Sequence, residues 1–287
     1  YSLKRENFVV GEGIDGLLGY LVRLFVEPGD QVVTSLGAYP TFNYHVVGFG
    51  GKLSLVPYKN FHEDLYGLIK EAKKVKAKIL YLSNPDNPMG TFHQKRDLQK
   101  FIDEVPDDTL LCLDEAYSDF VDQDQLPELD TSRSNVIRFR TFSKAYGLAG
   151  LRVGYAIGNS TLISSFNKVR NHFGVNKIGQ IAALAALEDQ EYLQKTLIAV
   201  EESKLRIKSI FSKMGFSSLE SHTNFVAINM GKDSNYAKNI LTELIKNKIF
   251  VRMPGVAPLN SFIRVSAGQE EDLRYLEKAL AEIMRKN

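Results

Sequence analysis

The chain has 287 residues with 36 basic and 34 acidic side chains, for a net charge of +2. That length suggests two domains at roughly 150 residues each, or one large one, and the balanced charge gives no support for a nucleic-acid or membrane-surface partner. A single cysteine, Cys112 in an apolar run, excludes an internal disulfide framework, five scattered histidines argue against a metal site, and no apolar stretch reaches the roughly 20 residues of a bilayer span.

In chain order, the hydrophobic pattern predicts a helix over 14–26, a strand over 31–34, a helix over 42–48 and a strand over 52–56. A helix over 65–74, a strand over 79–83 and a helix over 95–104 follow, then strands over 110–114 and 136–141, a helix start over 143–148 and a strand over 153–157. Strands alternating with helices predict a parallel, doubly wound α/β domain. Beyond this the pattern changes. Helices are expected over 161–168, 179–187, 191–214, 234–246 and 270–285, with Gly215 as a C-cap. Strands over 225–229, 250–252 and 262–266 would form a smaller α+β unit. The expected division is a large domain over 1–165, connecting helices over 166–195 and a small domain over 196–287.

Four groups of residues suggest chemistry. Gly11-Glu12-Gly13-Ile14-Asp15-Gly16 follows apolar Phe8-Val9-Val10 and precedes a helix, and Asp30 supplies a later acid. That is the context of a dinucleotide fingerprint, but the underlying physics is only that glycine lets an anion approach the N–H groups of a helix N-terminus. The anion is left open, and so is a plain turn. The stretch from Arg140 through Thr141, Ser143 and Lys144 to Arg152 sets hydroxyls and guanidinium groups around one lysine. Hydroxyls with arginine suit a phosphate, and burial beside positive charge makes a lysine a neutral nucleophile. A surface lysine is the alternative. Ser83-Asn84-Pro85-Asp86-Asn87-Pro88-Met89-Gly90-Thr91 and Asp114-Glu115-Ala116-Tyr117 each end an apolar strand. A carboxylate there faces the crevice where ligands bind in parallel sheets. A turn and a helix N-cap are the plainer readings of these two.

In this order, the motifs resemble those of fold-type-I, pyridoxal-phosphate-dependent aminotransferases of class I/II, over nearly the whole chain. The stretch 140–155 and the C-terminal 262–272 most resemble the histidinol-phosphate aminotransferase branch. The resemblance implies that Lys144 carries the cofactor as a Schiff base and moves the substrate's proton, while Asp114 pairs with the pyridine nitrogen. Tyr117 and Asn87 would hydrogen-bond the ring's phenolic oxygen. Thr141, Ser143, Arg152 and the backbone of Gly13, Ile14 and Asp15 would hold the phosphate. Phe42 matches the ring-stacking position, where the branch often has tyrosine, with a core aromatic as its plainer reading. Arg264 would grip the substrate's anionic group, with Arg252 as a second contact or a rim charge.

The activity so implied is transfer of an amino group from L-histidinol phosphate to 2-oxoglutarate, in a cytoplasmic homodimer of histidine biosynthesis. Other activities fit the same residues: an aromatic amino-acid aminotransferase, a threonine-phosphate decarboxylase-like enzyme, or an inactive cofactor-binding homologue. The chain opens on Tyr1 close to the glycine motif, so an N-terminal segment and part of the small domain are expected to be missing.

Overall fold

The structure is a computed structural model and describes residues 3–286. Strands and helices alternate as β1 (Phe8–Gly11), α1 (Gly13–Phe25), β2 (Gln31–Ser35), α2 (Thr41–Gly48), β3 (Lys52–Val56), α3 (Leu65–Val75), β4 (Ile79–Ser83), α4 (Lys95–Glu104), β5 (Leu110–Asp114), β6 (Val136–Thr141) and β7 (Gly154–Gly158). All seven strands form one sheet in the order β1-β7-β6-β5-β4-β2-β3. From β3 to β6 the pairs are parallel, whereas β7 runs antiparallel to both β6 and β1. The doubly wound, mostly parallel α/β architecture is as expected, with a mixed edge.

Every residue of β4 and β5 is buried, which explains their continuous apolar runs: both sheet faces are covered. Alternate side chains enter two cores. Val32, Ile79, Tyr81, Cys112 and Phe139 meet Leu17 and Leu21 of α1 on one face. Val33, Leu80, Leu82, Leu111 and Leu113 meet Leu68 of α3 and Leu98 and Phe101 of α4 on the other. Asp114 shares the parity of Cys112, so it ends β5 on the α1 face. Cys112 itself is a fully buried core thiol.

The remainder comprises α5 (Ser160–Ser165), α6 (Lys177–Glu188), α7 (Gln190–Lys213), β8 (Ser217–Ser218), β9 (Phe225–Asn229), α8 (Ser234–Lys246), β10 (Phe262–Ser266) and α9 (Glu270–Lys286). The three strands form an antiparallel sheet in the order β10-β9-β8. Its core joins Val226, Ile228, Ile263 and Val265 to Ile207 and Phe211 of α7, Ile240 of α8 and Leu276 of α9. Gly215 closes α7 at φ 84°, with the Phe216 N–H donating to the Phe211 carbonyl at 3.1 Å.

Two expected elements are absent. Residues 143–148 form a turn, in which the Gly147 N–H donates to the Lys144 carbonyl at 3.0 Å and Gly147 has φ 70°. Gly147 and Gly150 deprive this segment of helix propensity, and only a single 3-10 turn, Ala149–Leu151, follows. Residues 250–252 contribute one isolated bridge, Arg252 to Arg264, and no strand. Lys248 at φ 60° starts this segment and Pro254, which has no N–H, ends it. Among the described residues, no helix is long and apolar enough to cross a membrane.

Candidate active site

The strand pairing that sets Gly11 opposite Gly154 brings the start of α1 beside Arg152. Gly13 has φ 80°, and a Cβ there would lie 2.5 Å from Arg152 Nη2. Only glycine therefore lets the guanidinium approach the first turn of α1, whose N–H groups have no partners within the helix. Arg152 Nη1 donates to the Ala149 carbonyl at 2.9 Å and approaches Ser143 Oγ at 3.4 Å. Ile14, Asp15, Thr141, Ser143 and Arg152 line one end of a cavity of about 220 Å³. The Asp15 carboxylate is engaged by His45 Nε2 at 2.9 Å, so its contribution to this corner is its backbone. Thr141 Oγ1 donates to the Val153 carbonyl at 3.3 Å and accepts from the Ser143 N–H at 3.0 Å, which shapes the turn before Lys144.

Asp114, Tyr117, Asn87 and Lys144 line the same cavity. Asp114 is buried; its Oδ1 accepts from the Ala116 N–H at 2.9 Å and its Oδ2 from the Tyr81 hydroxyl at 2.7 Å. Burial pushes its carboxyl above the usual range, while these two hydrogen bonds and the Lys144 charge act the other way. Lys144 Nζ lies 5.2 Å from the centre of the Tyr117 ring. Burial lowers the Lys144 pKa, helped by the positive charges of Arg264 and Arg152 and opposed by Asp114. Burial raises the Tyr117 phenol, against the pull of Arg264, so it remains protonated.

Beyond Asn87 stands Arg264, on β10. Its Nη1 donates to Asn87 Oδ1, its guanidinium lies 4.7 Å from the Phe225 ring centre, and its Nε is buried without a hydrogen-bond partner among the described residues. Arg252 is exposed and exchanges both backbone hydrogen bonds with Arg264, at 3.1 and 2.7 Å. Residues paired in this way project their side chains to the same side.

The expected site residues thus converge on the cavity wall, with Gly13 behind it, Arg264 reaching it through Asn87, and Arg252 outside. Phe42 does not. Expected against the cofactor ring, it is 1% exposed and stacks on Tyr81, with ring centres 4.6 Å apart and planes at 13°. A phenylalanine has no hydroxyl to hold it at a polar wall, and this one joins Val46 in the α1-side core. Tyr39, Thr41 and Ser83 line the cavity instead. Tyr81 is the contact that sequence reasoning missed. A tyrosine inside the otherwise apolar run of β4 was its signal, because a buried hydroxyl requires a partner.

The dinucleotide alternative fails on topology. β1 is an edge strand antiparallel to its neighbour, so the glycine motif does not begin a parallel β-α-β unit. Comparison with known proteins identifies the family. The family model "Aminotransferase class I and II" matches residues 1–280. This chain belongs to the class I and II aminotransferases. Among curated relatives of the aminotransferase, the histidinol-phosphate aminotransferase of Moorella thermoacetica is 33% identical over 287 residues, 99% of this chain and 73% of the relative. Histidinol-phosphate aminotransferase 2 of Hydrogenovibrio crunogenus is 35% identical over 285 residues, 97% of this chain and 74% of the relative. The crystal structure of histidinol-phosphate aminotransferase from Sinorhizobium meliloti, in complex with pyridoxal 5'-phosphate, superposes with a TM-score of 0.96 at 49% identity. The match covers 98% of this chain and 77% of that one.

Proposed function

We propose that this aminotransferase uses pyridoxal 5'-phosphate to pass the amino group of L-histidinol phosphate to 2-oxoglutarate, giving imidazole-acetol phosphate and L-glutamate, a step of histidine biosynthesis. The observation that carries this reading is that Lys144, a partly buried lysine with a lowered pKa, shares one cavity with Asp114 and with the Arg152 corner of α1.

The residues fit the cofactor. The Gly13 cradle, Ile14, Asp15, Thr141, Ser143 and Arg152 would hold its phosphate, because backbone N–H groups, a hydroxyl and a guanidinium converge there. Asp114 would keep the ring nitrogen protonated, and Asn87 and Tyr117 would donate to the phenolic oxygen. Bound pyridoxal phosphate supplies an electron sink for the pair released when the substrate's Cα–H bond breaks. Lys144 would hold the cofactor through its amine and then, freed by the substrate's amine, carry the proton between the substrate's Cα and the cofactor. Its lowered pKa keeps a larger neutral fraction of the amine for both tasks.

Arg264 and Arg252 support a substrate carrying a phosphate. Two guanidinium groups on one side of a bridge repel each other until an anion lies between them, and the Arg264 Nε–H has no acceptor among the described residues. The 2-oxoglutarate carboxylate would use the same arginine in the other half-reaction.

A homodimer, working in the cytoplasm, belongs to the same proposal. Phe173 is 93% exposed and Ile178, Ile181 and Leu184 of α6 are 60% or more exposed, an apolar surface that monomers rarely leave open. In the same reading, residues 1–165 form the cofactor domain, 166–195 connect, and 196–287 form the small domain. α7 runs through the last boundary.

The test is glutamate formation by the purified, cofactor-loaded chain, with 2-oxoglutarate and either L-histidinol phosphate, phenylalanine or tyrosine. A strong preference for histidinol phosphate is expected. Preference for the aromatic amino acids would replace it with the aromatic activity.

A further inference from the structure

Tyr81 has no role in the account of the reaction given above. It lies on β4, where the parallel register with β5 pairs Tyr81 with Cys112 and Ser83 with Asp114. The strand pleat therefore directs Tyr81 and Asp114 to the same face, offset by two residues. Tyr81 is 1% exposed and its ring is stacked on Phe42, so packing holds the phenol in one orientation. In that orientation the hydroxyl donates to Asp114 Oδ2 at 2.7 Å, the length of a strong bond to a carboxylate. The other oxygen, Oδ1, takes the Ala116 N–H.

These two donors matter because Asp114 is buried. An apolar setting favours the neutral carboxyl, and hydrogen bonds to the charged form oppose that. The Ala116 donor is backbone, common to any residue at that position. The Tyr81 donor is a side chain, and is therefore the part of this arrangement that a single substitution removes. Tyr81 is itself a secure donor, since burial and the neighbouring Asp114 push its phenol well above the ordinary value.

We propose that Tyr81 is a positioning residue: it holds the Asp114 carboxylate charged and in a fixed plane, and so keeps the acid that meets the cofactor's ring nitrogen a weak enough base to leave the proton on the ring. This rests on the reading of Asp114 given above. Without the hydroxyl, Asp114 binds a proton more tightly and draws it from the ring nitrogen. The chemical step suffers while substrate binding, which depends on Arg264, does not.

Tyr81→Phe removes only the oxygen and keeps the ring on Phe42. The proton affinity of Asp114 is read by infrared titration of the cofactor-free full chain, with Asp114→Asn assigning the carboxyl band. In Tyr81→Phe the affinity should rise about tenfold or more, the effect of losing one hydrogen bond to a charged group. Replacement of Tyr81 by 3-fluorotyrosine, a stronger donor of nearly the same shape, should move it the opposite way. In the loaded enzyme, Tyr81→Phe should lower kcat about tenfold with KM for both substrates nearly unchanged. An Asp114 titration unmoved by either replacement, or kcat unmoved in Tyr81→Phe, overturns the proposal. Failure of the unaltered chain to bind pyridoxal phosphate would overturn the reading of Asp114 itself, and is seen separately as a missing visible band.

Discussion

The guanidinium of Arg264 donates a hydrogen bond to Asn87 Oδ1 across 177 positions of sequence, tying β10 of the small sheet to the loop after β4 of the large one. The side chain that would grip the substrate's anion is thus in direct contact with one that lines the cofactor cavity.

Arg264→Lys keeps the charge and loses the planar pair of donors. The KM for histidinol phosphate and for 2-oxoglutarate should rise roughly ten- to a hundredfold, in line with a lost charge-assisted hydrogen bond of about 1.5–3 kcal/mol. Steady-state kinetics on both half-reactions checks this. Unchanged constants for both would remove Arg264 from the site.

Lys144→Ala should abolish the visible absorbance band of lysine-bound pyridoxal phosphate and reduce turnover to background, with the far-ultraviolet circular dichroism unchanged. A persistent band would mean that another amine carries the cofactor. In the intact enzyme the Lys144 pKa lies below the ordinary 10.5, so activity that needs its neutral amine should reach its plateau at a lower pH than an exposed lysine would allow.

Gly13→Ala should weaken cofactor binding and destabilise the fold by about 1 kcal/mol or more. The position has φ 80° and the new methyl would meet Arg152 Nη2 at 2.5 Å. Cofactor titration and thermal melting report the two effects. Wild-type affinity in Gly13→Ala would show that the Arg152 corner does not hold the phosphate.

Asp119 gives a pH prediction outside the site. Burial raises its carboxyl from 3.8 to about 6, against the attraction of Arg140. The folded chain therefore binds this proton more tightly than the unfolded one. The resulting stabilisation is complete below about pH 4 and is lost as pH rises to about 6. Asp119→Asn should remove that slope and leave the protein more stable than wild type at pH 7. Denaturant unfolding at a series of pH values tests it, and parallel curves for the two proteins would contradict it.

What could be read from sequence followed the strength of local signals. β4 and β5 are unbroken apolar runs, and α4 and α8 carry clear amphipathic patterns, so their bounds were expected to the residue. Lys144, Asp114 and Arg152 stand at strand ends, where side chains face the crevice, and they meet as expected. β8 consists of Ser217 and Ser218, which have no apolar alternation, and exists because β9 offers it an edge. The turn at 143–148 has helix-forming residues but is ruled by Gly147. Phe42 and Tyr81 both lie in the core, stacked on each other, and only packing decides that, because the ring of one is the support of the other.

β1 closes one side of the large sheet and, among the described strands, is bonded to β7 alone. Strand pairing repeats every two residues, so a slip of one position would carry Gly13 away from Arg152 and turn Val9 out of the core. Edge strands open at lower free energy than central ones. Heating is therefore expected to fray this margin before the central strands melt. Saturating cofactor, by clasping α1 to Arg152 from the inside, would act as a rivet on this edge of the sheet.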